Sequence, residues 1–288
     1  MKTISRNIGS LLLLAFVSSS AVFSSEIKEE RFNFKASKKQ PLSIRLEIDA
    51  GRVKIRPGSD DREIDLKFRY EEKRYEVSVE FDEDENTLNA YFDIKKWFKD
   101  DEEDEKSTAR LTVDLPTDVK IEMYCKTKAG ETEIELGDLH VTDLTLRVLA
   151  GETYLAFSEP NRERIKELKI ESKVGELNVE KLGNANFEYA EIDGNIGELS
   201  VDFDSDIEPK FDREIDMSLN IGQTRLYLPR REAIRFKVSK FLFFSDLDIP
   251  DHFYKEGKYY YSDNFDNEKH KTQLSISPGV GSLDIRVR

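Results

Sequence analysis

Along most of the chain, apolar and polar residues alternate one for one, a period of two that predicts β-strands with one face in a core and the other in water. Glycines punctuate the alternation. Seven segments share the pattern: AGRVKI at Gly51, AGETEIEL at Gly130, AGETYLAF at Gly151, VGELNV at Gly175, IGELSVDF at Gly197, IGQTRLYL at Gly222 and VGSLDIRV at Gly281. Two places after each glycine stand Val53, Thr132, Thr153, Leu177, Leu199, Thr224 and Leu283. Four places after stand Ile55, Ile134, Leu155, Val179, Val201, Leu226 and Ile285. All are aliphatic or β-branched, whereas the intervening Lys54, Glu133, Tyr154, Asn178, Ser200, Arg225 and Asp284 are not aliphatic. The glycine suits a turn that needs positive φ or close approach of another backbone.

From Gly130 to Gly222 the successive spacings are 21, 24, 22 and 25 residues, the size of one coil of a solenoid. A second alternating run precedes the glycine, as in Leu144, Leu146 and Val148, so each coil supplies at least two strands. A single coil cannot bury these faces. Stacked at the ~4.8 Å strand spacing, the coils pair every backbone with the next and enclose one apolar interior. The expected fold is therefore all-β, a single-stranded β-solenoid. A leucine-rich repeat would place asparagine at a fixed phase, and Asn178, Asn184, Asn186 and Asn195 share none. A β-sandwich does not predict glycines at this spacing.

Two long excursions interrupt the repeat, after Gly51 and after Gly222. The first predicts a hairpin, with strands over 75–81 and 88–94. Segment 114–121 resembles segment 227–234: in both, Leu-Pro closes one strand and a four-residue turn opens the next. Segment 158–168 leaves a short helix and a bulging loop both open. The organisation expected is a signal peptide over 1–24, an N-terminal coil with an acidic hairpin over 25–110 and solenoid repeats with a closing cap over 111–288. The last two make one continuous unit.

Export rests on residues 1–24, where Lys2 and Arg6 precede a short apolar run and then small residues, the layout of a cleaved secretory signal. Cleavage after Ala21 or Ser24 is expected, which deepens the net charge from −14 to −16. With 59 acidic against 45 basic residues, interleaved and without a basic patch, nucleic acid and anionic membranes are disfavoured as partners. The only cysteine, Cys125, falls in phase with Val119, Ile121 and Met123, which predicts a buried filler and no disulfide. Nothing after residue 24 is long and apolar enough to span a bilayer as a helix.

Catalytic chemistry finds little support. Of three histidines, His140 sits in a repeat and His252 and His270 in a charged excursion, and no phosphate-cradling loop or paired Cys/His set occurs. Glu180 and Asp202, both five places after a glycine, fall on neighbouring coils and form the one candidate pair for acid–base or cation chemistry. The acidic runs at 82–85 and 100–105 lack the spaced ligands and glycine of a calcium loop and read as solvated tips. The aromatic cluster Phe253, Tyr254, Tyr259, Tyr260, Tyr261 and Phe265 either caps the open end of the solenoid or stacks on a sugar or protein partner. Lys255, Lys258, Lys269 and Lys271 accompany it.

The AGETEIEL and AGETYLAF coils, the LTVDLPTDVKIEMYCKTKAG entry and the closing segments LYLPRREAIRFKVS, DIPDHFYKEGKYYYS and SISPGVGSLDIRV together resemble a family of exported bacterial proteins, the "putative adhesin" or toastrack domains. These are related to the extracellular C-terminal region of cell-wall-active antibiotic response proteins. The resemblance spans about residues 40 to 288 and is densest after 110. It implies a β-solenoid of the bacterial envelope, periplasmic or secreted, that acts by interaction, adhesion or envelope-stress sensing, and it brings no catalytic, cofactor-binding or metal-binding residue. Aromatics at 241–244 replace small residues usual in the family. The expected partner is an envelope protein or glycan. The competing expectation is a β-helix enzyme acting on an acidic polysaccharide.

Overall fold

The computed structural model describes residues 26–95, 109–239 and 249–288. The expected signal segment 1–24, the acidic run 100–105 and the aromatics 241–244 lie outside the described residues. The first strands are β1 (Ile27–Lys35), β2 (Leu42–Ile48), β3 (Gly51–Pro57), β4 (Glu63–Glu71), β5 (Tyr75–Asp82), β6 (Thr87–Ile94) and β7 (Arg110–Leu115). There follow β8 (Lys120–Thr127), β9 (Gly130–Glu135), β10 (His140–Ala156), β11 (Ile165–Glu180), β12 (Phe187–Asp202) and β13 (Arg213–Leu228). The chain closes with β14 (Ala233–Val238), β15 (Phe253–Glu256), β16 (Tyr259–Ser262) and β17 (Lys271–Val287). This is the β-solenoid that the periodicity predicts.

The seven glycines stack in register, Gly51 on Gly130, then Gly151, Gly175, Gly197, Gly222 and Gly281. Their φ angles are all positive, and a Cβ built on Gly175 would lie 1.9 Å from the carbonyl oxygen of Gly151. Each glycine thus lets one coil bend while its neighbour's backbone passes directly beneath. All fourteen residues two and four places after a glycine are buried, and none of the intervening seven is. The eleven aliphatic ones join one core cluster that runs from Ala36 to Ile285.

Segment 158–164 is a loop, and β11 begins at Ile165. Buried Asn161 holds it there, accepting the Val141 N–H at 2.9 Å and donating to the carbonyls of Val141 at 2.8 Å and Ala185 at 3.3 Å. The predicted hairpin is present as β5 and β6, paired antiparallel. Its acidic tip at 82–85 folds on itself, with the Asp82 carboxylate accepting the N–H groups of Asp84 and Glu85, each at 2.9 Å.

Chain order and stacking order agree in the middle and part at both ends. The coil formed by β6 and β7 packs outside the one formed by β2 and β3, so the Gly51 coil lies between β6/β7 and β8/β9. At the other end β17 runs between β13 and β14. The two Leu-Pro turns make these jumps. Each carries the chain over one rung and leaves a slot that the first or the last glycine coil fills. The Leu115 carbonyl accepts the Gly58 N–H at 2.7 Å, and the Leu228 carbonyl accepts the Arg288 N–H at 3.0 Å. Antiparallel strands complete the ends: β5 on β6, β4 on β7 and β1 on β4 at one, β16 on β14 and β15 on β16 at the other.

Candidate functional site

The closing aromatics sit on the β15–β16 hairpin. Its two-residue connection begins at Gly257, whose φ of +60° is open to glycine at no steric cost. Alternation divides the cluster between two faces. Inward, Phe253 and Tyr260 pack on Phe236 of β14, each with ring centroids 5.0 Å from it, and buried Ser262 accepts the Ile234 N–H at 2.9 Å. Outward, Tyr261 stacks on Tyr254 at 5.7 Å and meets Tyr259 edge-on at 6.1 Å and Phe265 at 5.0 Å. The cluster is thus divided: its inward members cap the end, and its outward members lie on the outer face. Tyr260 belongs to the cap.

Cations are placed over these rings. Lys258 and Arg235 lie 5.3 Å from the Tyr259 ring, Lys255 lies 5.2 Å from that of Tyr260, and Lys271 lies 4.6 Å from that of Phe265. Such contacts hold a cation on an aromatic face; Lys271 also donates to the carbonyls of Phe265 and Glu268, and Arg235 to the Gln273 side chain. Beside Phe265 a hollow of about 570 Å³ is lined by Lys166, Tyr189, Arg235, Lys271 and neighbouring carboxylates. Lys269 lies apart, on a second hollow of about 830 Å³ with Lys210, Arg231 and His270. Partial desolvation and then the acids Asp266 and Glu256 raise the Tyr254 hydroxyl above the usual tyrosine range.

Behind the hairpin, Arg213 of β13 and Glu232 of the Leu-Pro turn form a fully buried ion pair, with Thr272 of β17 donating to the same carboxylate. Glu232 Oε1 is buried without a hydrogen-bond partner among the described residues. Burial pushes the Glu232 carboxyl up and the Arg213 guanidinium down from their ordinary values, and each partner opposes the other's shift.

The one catalytic candidate fares differently. Glu180 accepts the Tyr154 hydroxyl at 2.5 Å, whereas Asp202 pairs with Arg288 at 2.5 Å and accepts the Asp204 N–H at 2.9 Å. The two carboxylates are thus engaged separately, each by its own partner. His140 opens β10 half-buried between Glu163 and Asp118, at 3.4 Å and 3.9 Å. His252 is half-buried against Phe253 with Asp263 at 3.4 Å, and His270 lies 3.8 Å from Asp212. Cys125 is free and fully buried, and burial pushes its thiol up to about 12, which keeps it unreactive. Among the described residues no group of three or more His, Cys, Asp or Glu is placed to hold a metal ion, and no helix is long and apolar enough to cross a membrane.

A stack of glycine-cornered coils, closed at its far end by a two-faced aromatic hairpin, defines the class: an all-β solenoid. The family model described as the N-terminal domain of toast_rack, DUF2154, matches residues 23–180, and the chain belongs to that family. Solved structures of similar shape include a "putative cell adhesion protein" from Clostridium sporogenes, 13% identical over 91% of this chain and 100% of that one, with a TM-score of 0.46. Another is a "putative adhesin" from Bacteroides fragilis, 14% identical over 90% and 97% of the two chains, with a TM-score of 0.36. A third is a "putative lipid binding protein" from Parabacteroides distasonis, 12% identical over 90% and 96%, with a TM-score of 0.30. No curated protein matches the chain.

Proposed function

We propose that the protein is an exported, non-enzymatic interaction module of the bacterial envelope, and that the outer face of the β15–β16 hairpin is its contact surface. The observation that carries this is the outward set Tyr254, Tyr259, Tyr261 and Phe265 with Arg235, Lys258 and Lys271 against its rings. Tyrosines stack on sugar rings and protein side chains alike. Cations among them favour an anionic or sugar-bearing partner that a chain of net charge −14 otherwise repels. The signal expected over 1–24 fits an envelope setting, with N-terminal sequencing of exported protein expected to begin near Val22 or Ser25.

The test compares wild-type protein with a Tyr254→Ala, Tyr259→Ala, Tyr261→Ala variant that leaves the capping Tyr260 in place. Retention on isolated envelope glycan is measured together with release of glycan fragments. Retention by wild type, loss in the variant and no fragments support the reading. Equal retention assigns the hairpin to capping alone, and steady fragment release makes the protein an enzyme.

A further inference from the structure

Among the described residues seven large apolar side chains are exposed, and five of them, Leu149, Val174, Ile196, Ile221 and Val280, crowd one corner of the stack. The last four hold the same place, immediately before the glycine, and lie in register on successive rungs. Each is 46–50% exposed. They form an aliphatic rail along the stack axis, a contiguous patch on the order of a few hundred Å², the size of the largest and often functional patch on a typical monomer. The corner does not require such residues. The earlier coils carry Ala50, Ala129 and Ala150 there, Ala150 directly beside Val174.

Just past the glycine, a second column runs parallel to the rail: Glu131, Glu152, Glu176 and Glu198 stack directly on one another. Like charges on facing strand positions are destabilising. Arg52 neutralises Glu131 at 2.6 Å and Arg225 neutralises Glu198 at 3.0 Å. Glu152 and Glu176 are exposed and have no ion pair or hydrogen bond among the described residues.

The free chain thus carries two unfavourable features side by side, exposed aliphatics and stacked unpaired carboxylates, and one kind of occupant relieves both. We propose that this corner docks a cationic, aliphatic-bearing peptide segment of another protein, its apolar side chains on Val174, Ile196, Ile221 and Val280 and its Lys or Arg on Glu152 and Glu176. A second copy or an anionic lipid surface brings charge of the wrong sign, and a neutral glycan leaves the carboxylates unmet. This surface is separate from the aromatic hairpin and stands or falls independently of it.

The experiment titrates a labelled amphipathic Leu/Lys peptide, and its Leu/Glu counterpart, into the mature protein while following fluorescence anisotropy. The Leu/Lys peptide is expected to bind, less tightly as salt rises, and the Leu/Glu peptide to remain free. Ile196→Thr with Ile221→Thr keeps β-branching and so the strand, and is expected to weaken binding about tenfold or more, roughly the loss of one well-buried contact pair. Glu152→Gln with Glu176→Gln should weaken binding and flatten its salt dependence. The Tyr254→Ala, Tyr259→Ala, Tyr261→Ala variant should bind as wild type. Circular dichroism confirms folding, and single Val174→Thr replaces the double variant if that fails to fold. The proposal is overturned if wild type does not bind, if both corner variants bind like wild type, or if the two peptides bind alike. A wild-type dimer in sedimentation velocity that the threonine variant dissolves would overturn it in favour of a second copy.

Discussion

The middle of the stack and its ends are built on different rules. Between Gly130 and Gly222 each coil rests on the one before it, and stability comes from repetition: a glycine at the corner and two buried residues after it, rung upon rung. At the ends repetition stops, and unrepeated devices take over, namely Leu-Pro jumps, antiparallel lids, the buried Arg213–Glu232 pair and a charged network on β4. A coil in the middle is interchangeable with its neighbours in kind, whereas each end depends on particular residues.

The sharpest break of the middle is Gly175→Val. Its Cβ would fall 1.9 Å from a backbone oxygen at a φ of +129°, so no side-chain movement relieves the clash. A loss of more than about 5 kcal/mol is expected, read as failure to recover folded protein. At the C-terminal end, Glu232→Gln strands a buried guanidinium and should cost about 3–5 kcal/mol in urea unfolding, while Arg213→Met with Glu232→Leu should recover most of it. If the single change is harmless, that end does not depend on the pair.

Back in the middle, Leu155→Ala should cost about 2–5 kcal/mol through lost burial and a cavity. Lys54→Ala, at an outward position, should stay within about 0.5 kcal/mol by the same measurement. Equal costs would mean that the buried phase is misassigned.

A small, pH-dependent effect is expected at Asp65 on β4. Burial works against its charge, but Arg31, bound through two nitrogens at 2.7 and 2.8 Å, and Lys67 at 2.9 Å hold its carboxyl below the usual range. A depressed folded-state pKa gives stability that is present above the unfolded value and lost as pH falls through the folded one. Asp65→Asn should therefore lower stability by up to about 1 kcal/mol at neutral pH, with the gap closing in acid. A gap that persists when all carboxyls are protonated would show that packing, and not charge, sets the effect.

The middle was legible because its rule is local: a glycine and the residues two and four places on carry the whole coil. The ends were legible only in fragments. The likeness of Leu115-Pro116 to Leu228-Pro229 stands in the sequence, but that both turns skip a rung depends on strand pairing across distant residues. Alternation alone puts Tyr259 and Tyr261 opposite Tyr260, yet which face is inward is decided by Phe236, far along the chain. Stacking arithmetic placed Glu180 near Asp202, and it could not foresee Tyr154 and Arg288 taking one carboxylate each. The residue before each glycine was visible as small or aliphatic, and only the folded corner reveals that its larger members are left in water.

The two slots bear on how the molecule assembles. A chain that emerges from its N-terminus makes the Gly51 coil first, but that coil cannot be enclosed until β6 and β7 have followed and the Leu-Pro turn has brought β8 to its other side. The C-terminal coil meets the opposite difficulty. β17 is made last and must enter a gap already bounded by β13 and β14. Winding from one end is thus insufficient to complete the stack, and β17 acts as a keystone whose late insertion, across large sequence separations, is expected to set the rate of maturation.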